Sequence, residues 1–143
     1  MSESKFIFFH KQSTSARMRF LVFENGSVLS GSPLPDLSVL EDEIQQDYDE
    51  HTVISFPSNG LGDVVQSLNI DLKDVAIKFP NLTTIETPSG TPVVHGVEFT
   101  LIDPPFSEVE KSGARFIEMT QARQLSNIDM EILRRVYVNA MEG

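Results

Sequence analysis

Three histidines are the side chains of this sequence best suited to acid–base chemistry or metal binding near neutral pH. They are His10, His51 and His95. His95 lies on the apolar face of a predicted strand, Val93 to Ile102, so it is a candidate catalytic residue; a hydrogen-bonded core histidine is the commoner explanation of such a position. His51 follows the acidic run Asp47-Tyr48-Asp49-Glu50, where positive charge is favourable without any function. No His-x-His or His-Glu-x-x-His spacing occurs, so no metal site is predicted.

A glycine pair opens a predicted helix. Gly60-Leu61-Gly62-Asp63 follows a predicted strand, and backbone N–H groups at such a position can hold an anion. Gly60 and Gly62 are therefore candidates for cofactor binding. The third glycine of a dinucleotide fingerprint is replaced by Val65, and the carboxylate of Asp63 would repel a phosphate there. Ordinary helix capping is the competing interpretation.

The most specific short string is Ile102-Asp103-Pro104-Pro105-Phe106, directly after a predicted strand. It resembles the Asp-Pro-Pro-aromatic motif of amino-group methyltransferases. The resemblance covers five residues. It implies that the Asp103 carboxylate and a proline carbonyl accept hydrogen bonds from a target amine, while Phe106 stacks on its base. Asp103 is thus the second candidate catalytic residue. The structural alternative is that the prolines, which cannot donate to a ladder, end an edge strand.

The same resemblance implies a glycine-rich loop that binds S-adenosylmethionine. The nearest stretch is Phe56-Pro57-Ser58-Asn59-Gly60-Leu61-Gly62. In that family, several strands and helices separate the two motifs. The chain between this stretch and Asp103 is too short to contain them. The sequence therefore departs from the family pattern at this point, and no cofactor is predicted.

Negative charge is concentrated in one segment of an acidic chain. The net charge is −10, and residues 36–50 contain seven acids and no base. Such a segment suits a basic protein partner, and the candidate contact residues are Glu41, Asp42, Glu43 and Asp47. The alternatives are a solvated helix face, a calcium site without an EF-hand loop, and an inhibitor or DNA mimic, which needs the acids on one continuous surface.

Composition excludes several classes of function. There are no cysteines, so disulfides, thiol catalysis and cysteine-ligated metals are excluded. The acidic balance disfavours nucleic acid and anionic membrane surfaces. No apolar run is long enough to span a bilayer or to serve as a signal peptide, so a soluble, cytoplasmic protein is expected. A Gly-x-Ser-x-Gly elbow is absent, although a Ser-His-Asp triad from distant positions stays open.

Hydrophobic spacing predicts the elements. Two strands with both faces apolar, Lys5 to His10 and Met18 to Phe23, precede Asn25-Gly26, which predicts a type I′ hairpin to Ser27–Leu29. We leave residues 115–124 unassigned. The further predictions are helices at 36–48, 61–68 and from Ser126 onward, a helical turn at 107–111, and strands at 52–56, 74–79, 82–87 and 93–102.

This element order resembles that of ribonuclease-H-like and actin-like domains, and of the cytoplasmic region of type II secretion adaptor proteins. Three antiparallel strands are followed by alternating helices and strands. The resemblance lies in element order and in the string Phe23–Gly31. A nuclease of that fold has an acid on its first strand, and Lys5 to Gln12 contains none, so no catalytic residue carries over.

We therefore expect one α/β (or α+β) domain over residues 1–143. Its mixed sheet is built on an N-terminal antiparallel meander centred on the Met18–Leu29 hairpin. A β-α-β-α-β run, a β-hairpin and a C-terminal helix follow, with helices on both faces. The predicted function is a non-catalytic protein–protein interaction or adaptor module that binds a basic partner. A homo-oligomer is a second form that this prediction allows. The alternative is a small S-adenosylmethionine-type transferase or hydrolase that uses Asp103.

Overall fold

The computed structural model of the chain describes residues 4–12, 17–31, 34, 38–40, 58–88 and 90–142, with the backbone alone at 58, 59 and 142. In this part of the chain six strands form one mixed sheet. The strands are β1 (Ser4–Lys11), β2 (Met18–Val22), β3 (Val39–Leu40), β4 (Val75–Glu86), β5 (Val93–Phe99) and β6 (Arg115–Ile117). Their order across the sheet is β3-β4-β5-β1-β2-β6. The predicted α/β class with a mixed sheet is confirmed.

Three α-helices and two 3₁₀-helices accompany these strands within the described ranges. The predicted helices at 61–68, at 107–111 and after Ser126 are all present. The α-helices are α1 (Ser58–Ser67), α2 (Phe106–Glu110) and α3 (Asn127–Glu142), and the 3₁₀-helices are Leu72–Asp74 and Met119–Gln124. The stretch 115–124, which we left unassigned, contains β6 and the second 3₁₀-helix.

Strand β1 is the most deeply buried element. Its residues 5–10 are all buried, and they alternate between two hydrophobic clusters. Phe6 and Phe8 belong to a cluster that includes α1 residues, whereas Ile7 and Phe9 belong to one that includes α3 residues. Because the side chains of a strand point alternately to opposite faces, β1 is covered on both sides. The sequence prediction of a two-faced apolar strand is confirmed.

The Asn25-Gly26 turn differs from the predicted type I′ hairpin. Among Glu24, Asn25 and Gly26, only Gly26 has positive φ (+87°), whereas a type I′ turn needs two such residues. The turn closes through Gly26 N–H to Phe23 O, at 2.9 Å. The chain then leaves β2, and Leu29 bridges to Ile7 of β1 instead. The centre of the sheet is therefore the β5–β1 pair, not the Met18–Leu29 hairpin.

Strand β5 is buried on both faces. This corrects the expectation from the alternating sequence of Val93 to Ile102, which predicts one buried face and one mostly solvent-exposed face. Val94 is fully buried, and Gly96 packs against β4. A Cβ at Gly96 would lie 2.7 Å from Cδ2 of Phe79. The Phe79 ring uses this space and stacks on Phe9 with 5.9 Å between ring centroids. Glycine is required here because any side chain would displace that ring.

A helix and a strand are predicted between residues 36 and 56. The helix predicted from Asp36 to Tyr48 is wrong at Val39–Leu40, which form β3 and pair antiparallel with Glu86 and Ile85 of β4. Pairing with a strand edge has overridden the helical spacing there. The rest of that helix, together with the strand predicted at 52–56, lies largely or wholly outside the described residues.

The C-terminal helix begins as predicted. The Ser126 hydroxyl accepts a hydrogen bond from the Asp129 N–H at 3.2 Å, which is an N-cap contact. The i,i+4 spacing of Glu131 and Arg135 predicts an ion pair, but Glu131 pairs with Arg134 at 3.5 Å. Arg135 instead donates to the Thr83 hydroxyl at 2.8 Å and so ties α3 to β4.

Phe20 provides a direct test of the core. Its ring is fully buried, so Phe20→Ala should lower the free energy of unfolding by about 3–5 kcal/mol because it removes a large apolar side chain and leaves a cavity. Urea denaturation measures this change. Ile102→Ala is the matched control, since Ile102 is 83% exposed and its truncation should change the free energy by less than about 0.5 kcal/mol. Equal effects of the two substitutions would contradict the structure.

Candidate interaction site

The carboxyl ends of β1 and β5 lie at the same edge of the sheet. The two strands are parallel neighbours, with register from Ser4↔Val93 to Phe9↔Glu98. In α/β sheets, ligands and partners commonly bind where parallel strands end, because loops that carry functional groups emerge there. Here Gln12 follows β1, and the loop Ile102–Phe106 follows β5.

A chain of hydrogen bonds connects three strands at this edge. Arg19 of β2 donates from its guanidinium to Gln12 Oε1 at 3.1 Å. Gln12 Nε2 in turn donates to Asp103 Oδ1 at 3.2 Å. Gln12 thereby orients both a cation and a carboxylate. Asp103, the predicted catalytic residue, is solvent-exposed and has a neutral amide as its hydrogen-bond donor.

Phe106 supports the same arrangement from the other side. The guanidinium carbon of Arg19 lies 5.4 Å from the centroid of the Phe106 ring, which is cation–π geometry. Phe106 packs edge-on against Phe116 at 5.5 Å, and Pro104 and Pro105 are buried. The loop is therefore held by apolar contacts at its base.

Large apolar side chains are nevertheless exposed on this loop. Ile102 is 83% exposed and Phe106 is 46% exposed. We call the set Gln12, Arg19, Ile102, Asp103 and Phe106 the carboxyl-end surface. It combines exposed apolar area with an arginine that has no carboxylate partner among the described residues. The sequence analysis singled out the Asp103 motif but missed Arg19 and Gln12, whose only sequence signal is proximity to the end of β1.

His10 lies in the sheet directly behind this surface. It is fully buried and pairs in register with Arg19. Its Nε2 donates to the Leu101 carbonyl at 2.8 Å, because a carbonyl oxygen can only accept. The other nitrogen, Nδ1, has no hydrogen-bond partner among the described residues. Because the ring is inaccessible to solvent, its supported role is to tie β1 to the end of β5.

His95 has structural partners on both ring nitrogens. Nδ1 donates to the Pro80 carbonyl, and Nε2 accepts from the Ser4 hydroxyl at 3.2 Å. The ring also lies 5.4 Å from that of Phe6. Burial lowers the pKa of His95, and the hydrogen bond to Pro80 offsets part of that effect. These contacts fit the hydrogen-bonded core histidine that the sequence allowed.

Gly60 and Gly62 lie inside α1, not in a loop that precedes it. A Cβ at Gly60 would be 3.7 Å from the Phe6 ring, in the first half of β1. Asp103 instead contacts Gln12, which directly follows β1. Gln12 is six residues after Phe6, a distance of about 20 Å at 3.3 Å per residue of extended chain. The structure thus does not bring the glycine pair and Asp103 together. The acidic candidates Glu41, Asp42, Glu43 and Asp47 lie outside the described residues.

Asp129, three residues after the Ser126 N-cap, is a buried carboxylate. It is 5% exposed and accepts a long hydrogen bond from the Val28 N–H at 3.4 Å. Burial raises its pKa, while hydrogen bonds from Ser27 and Val28 and the charge of Lys5 act in the opposite direction. Lys5 is itself buried and donates to the Ser30 carbonyl at 3.2 Å. This polar cluster joins α3, β1 and residues 27–30.

Among the described residues, no group of three or more His, Asp or Glu side chains is close enough to hold a metal ion. In the same ranges, no helix combines the length and the apolar character needed to cross a membrane.

No protein-family model matches the chain, and no curated protein matches it.

The buried His95 predicts a pH dependence of stability. Its pKa is lower in the folded protein than the ordinary 6.5, so the unfolded chain binds more protons as the pH falls below that value. The stabilisation is complete above pH 6.5 and is lost as the pH falls toward the folded pKa. We expect the free energy of unfolding to decrease between pH 7.5 and 5.5, and to decrease less in His95→Asn. Urea titrations at both pH values measure this; an equal decrease in both proteins would contradict it.

Proposed function

We propose that the chain is a non-catalytic protein–protein interaction module, and that the carboxyl-end surface is one of its contact sites. The observation that supports this most directly is the exposure of Ile102 and Phe106 on a loop with buried prolines at its base. A partner that covers these side chains gains apolar burial without having to order the loop first. Single exposed apolar residues are ordinary on protein surfaces. The combination of Ile102 and Phe106 with Arg19 distinguishes this surface.

The residue types at this surface are those that dominate binding energy in protein interfaces. Arginine and aromatic side chains are enriched among such residues, particularly where they are already held in position. Arg19 is held by Gln12 and by the Phe106 ring. Its side chain therefore loses little conformational entropy when a partner binds.

A basic partner is proposed for the acidic segment. Seven acids without a base in residues 36–50 attract positive charge and accelerate association. A homo-oligomer is a further form that the same module could take, and a cytoplasmic location remains an expectation from the sequence. We also infer a sheet with helices on both faces, supported by α1 in one hydrophobic cluster and α3 in the other.

The enzyme alternative has less support than the interaction module. It requires Asp103 and the glycine pair of α1 to act on one substrate and cofactor. The contacts of Gly60 with Phe6, and of Asp103 with Gln12, favour opposite ends of β1 for the two groups. No observation on the described residues supports the alternative over the interaction module.

Ile102→Asp tests the carboxyl-end surface. The substitution places a charge in the centre of the proposed contact, so the affinity for a partner should fall at least about tenfold. The partner is captured with immobilised wild-type chain, purified, and titrated by calorimetry. Val138→Asp is the matched control, because Val138 is an exposed apolar residue on α3, 43% accessible. Equal losses, or no loss with Ile102→Asp, would count against this surface.

Neutralising the acidic segment tests the basic partner. In the triple variant Glu41→Gln, Asp42→Asn and Glu43→Gln, binding should weaken and its dependence on salt should become shallower, because fewer ion pairs are screened. Titrations at about 50 and 300 mM salt measure the change. Neutralising Glu108 and Glu110 on α2 provides the control for net charge. An unchanged set of partners with unchanged salt dependence would refute the role of this segment.

A further inference from the structure

A small cleft opens on a different part of the molecule, between three segments of the chain. The turn after β2, the C-terminal end of α1 and the segment before β6 enclose a volume of about 310 Å³. Apolar side chains line part of it, and polar side chains line the rest. The apolar lining includes Phe23, Leu68 and Ala114, and the polar lining includes Glu24, Ser67 and Ser112.

The two serine hydroxyls in the cleft can only accept a further hydrogen bond. Ser67 Oγ already donates to the Val64 carbonyl at 2.6 Å. Ser112 Oγ donates in the same way to the Val109 carbonyl at 2.7 Å. A hydroxyl has a single hydrogen, so the groups that remain available are the oxygen lone pairs. Both serines thus offer acceptors to a ligand and no donor.

Glu24 adds a carboxylate to the cleft, and its side chain passes beside Gly113. Its Cγ lies 3.1 Å from the position that a Cβ of Gly113 would occupy. Gly113 has φ of +86°, which also favours glycine. Among the described residues, no cation forms an ion pair with Glu24. The negative charge is therefore positioned at the cleft and unneutralised.

The end of α1 contributes in the same direction. This ten-residue helix ends at Ser67 and has no basic residue in its last turn. The carbonyl groups at a helix C-terminus carry partial negative charge, which favours a cation nearby. Three independent features (two acceptor hydroxyls, a carboxylate and a helix C-terminus) thus present negative potential to one small volume.

We propose that this cleft binds a single basic side chain, lysine or arginine, of a partner polypeptide. The methylene groups of such a side chain pack on Leu68, Ala114 and the half-buried Phe23 ring, while its charged end donates to Glu24 and to the serine oxygens. Phe23 can also contribute a cation–π contact. Asn25 also lines the cleft, and its Nδ2 donates to the Gly31 carbonyl at 3.2 Å, so this neutral amide adds no positive charge to the site.

This site is separate from the carboxyl-end surface and does not depend on it. The cleft residues named here follow β2, lie at the end of α1 or precede β6, whereas the carboxyl-end surface lies where β1 and β5 end. Substitution of Ile102 should therefore leave binding at the cleft unchanged. Failure of one proposal is distinguishable from failure of the other.

The test is a titration of the full chain with the blocked tripeptide acetyl-Gly-Lys-Gly-amide, followed by amide NMR shifts. We expect the shifts to concentrate at Glu24, Ser67, Leu68 and Ser112, and to be absent with the norleucine tripeptide, which has no charge. Glu24→Gln should weaken binding about three- to tenfold, since it removes one partly exposed ion pair. Ser112→Ala should weaken it further by removing an acceptor.

Glu110→Gln is the matched control, because Glu110 is an exposed acid at the end of α2 and is not part of the cleft lining. It should leave the affinity unchanged. Thermal unfolding of each variant checks that the fold is retained. Three results would overturn the proposal: equal binding of the norleucine peptide, equal weakening by Glu110→Gln, or shifts spread over acidic residues without a maximum at the cleft.

Discussion

The burial of β1 on both faces is the constraint on which the rest of the structure depends. Residues 5–10 are buried in succession, and Phe6, Ile7, Phe8 and Phe9 are all at most 1% exposed. A strand of this kind needs a hydrogen-bonded neighbour on each edge and a packed layer on each face. Strands β2 and β5 supply the edges, and the clusters that include α1 and α3 residues supply the two faces.

This constraint also determines where functional groups can lie. Because the sheet faces are filled by apolar side chains, polar and exposed groups concentrate where the chain leaves the sheet. The carboxyl-end surface occurs where β1 and β5 end, and the proposed cation cleft occurs where β2 ends and β6 is about to begin. Both are built on loops whose bases are buried, which keeps their side chains in place for binding.

Buried polar groups at the start of β1 perform a structural function in this scheme. Lys5 donates to the Ser30 carbonyl, and the Phe6 N–H donates to the Ser30 hydroxyl at 2.9 Å. These bonds hold residues 27–30 beside β1, at the place where β2 has turned away toward β6. His95 of β5 acts similarly, since it is bonded to Pro80 of β4 and to Ser4 of β1. The buried titratable groups Lys5 and His95 thus join elements of the fold.

Local patterns in the sequence were sufficient for several elements. Three kinds of local pattern predicted elements that the structure contains. They are the apolar runs of β1 and β2, the helical spacing of Leu61, Val65 and Leu68, and the Ser126 N-cap. These succeed because periodicity and capping depend on residues within one or two turns of each other. The same local reasoning failed at Val39–Leu40, where pairing with β4 decides the conformation, and at Asn25, where the chain departs toward β1.

The sequence by itself determined the α/β class, the two-faced first strand, the acidic balance and the lack of cysteine chemistry. Only the tertiary structure decided that β1 and β5 are parallel partners, and that Gln12 meets Asp103 across 91 positions of the chain. It also decided that Glu24, Ser67 and Ser112 share one cleft. The physical reason is that strand pairing and through-space contacts depend on which distant faces bury one another. Local periodicity states that a face is apolar, but it does not specify the face that covers it.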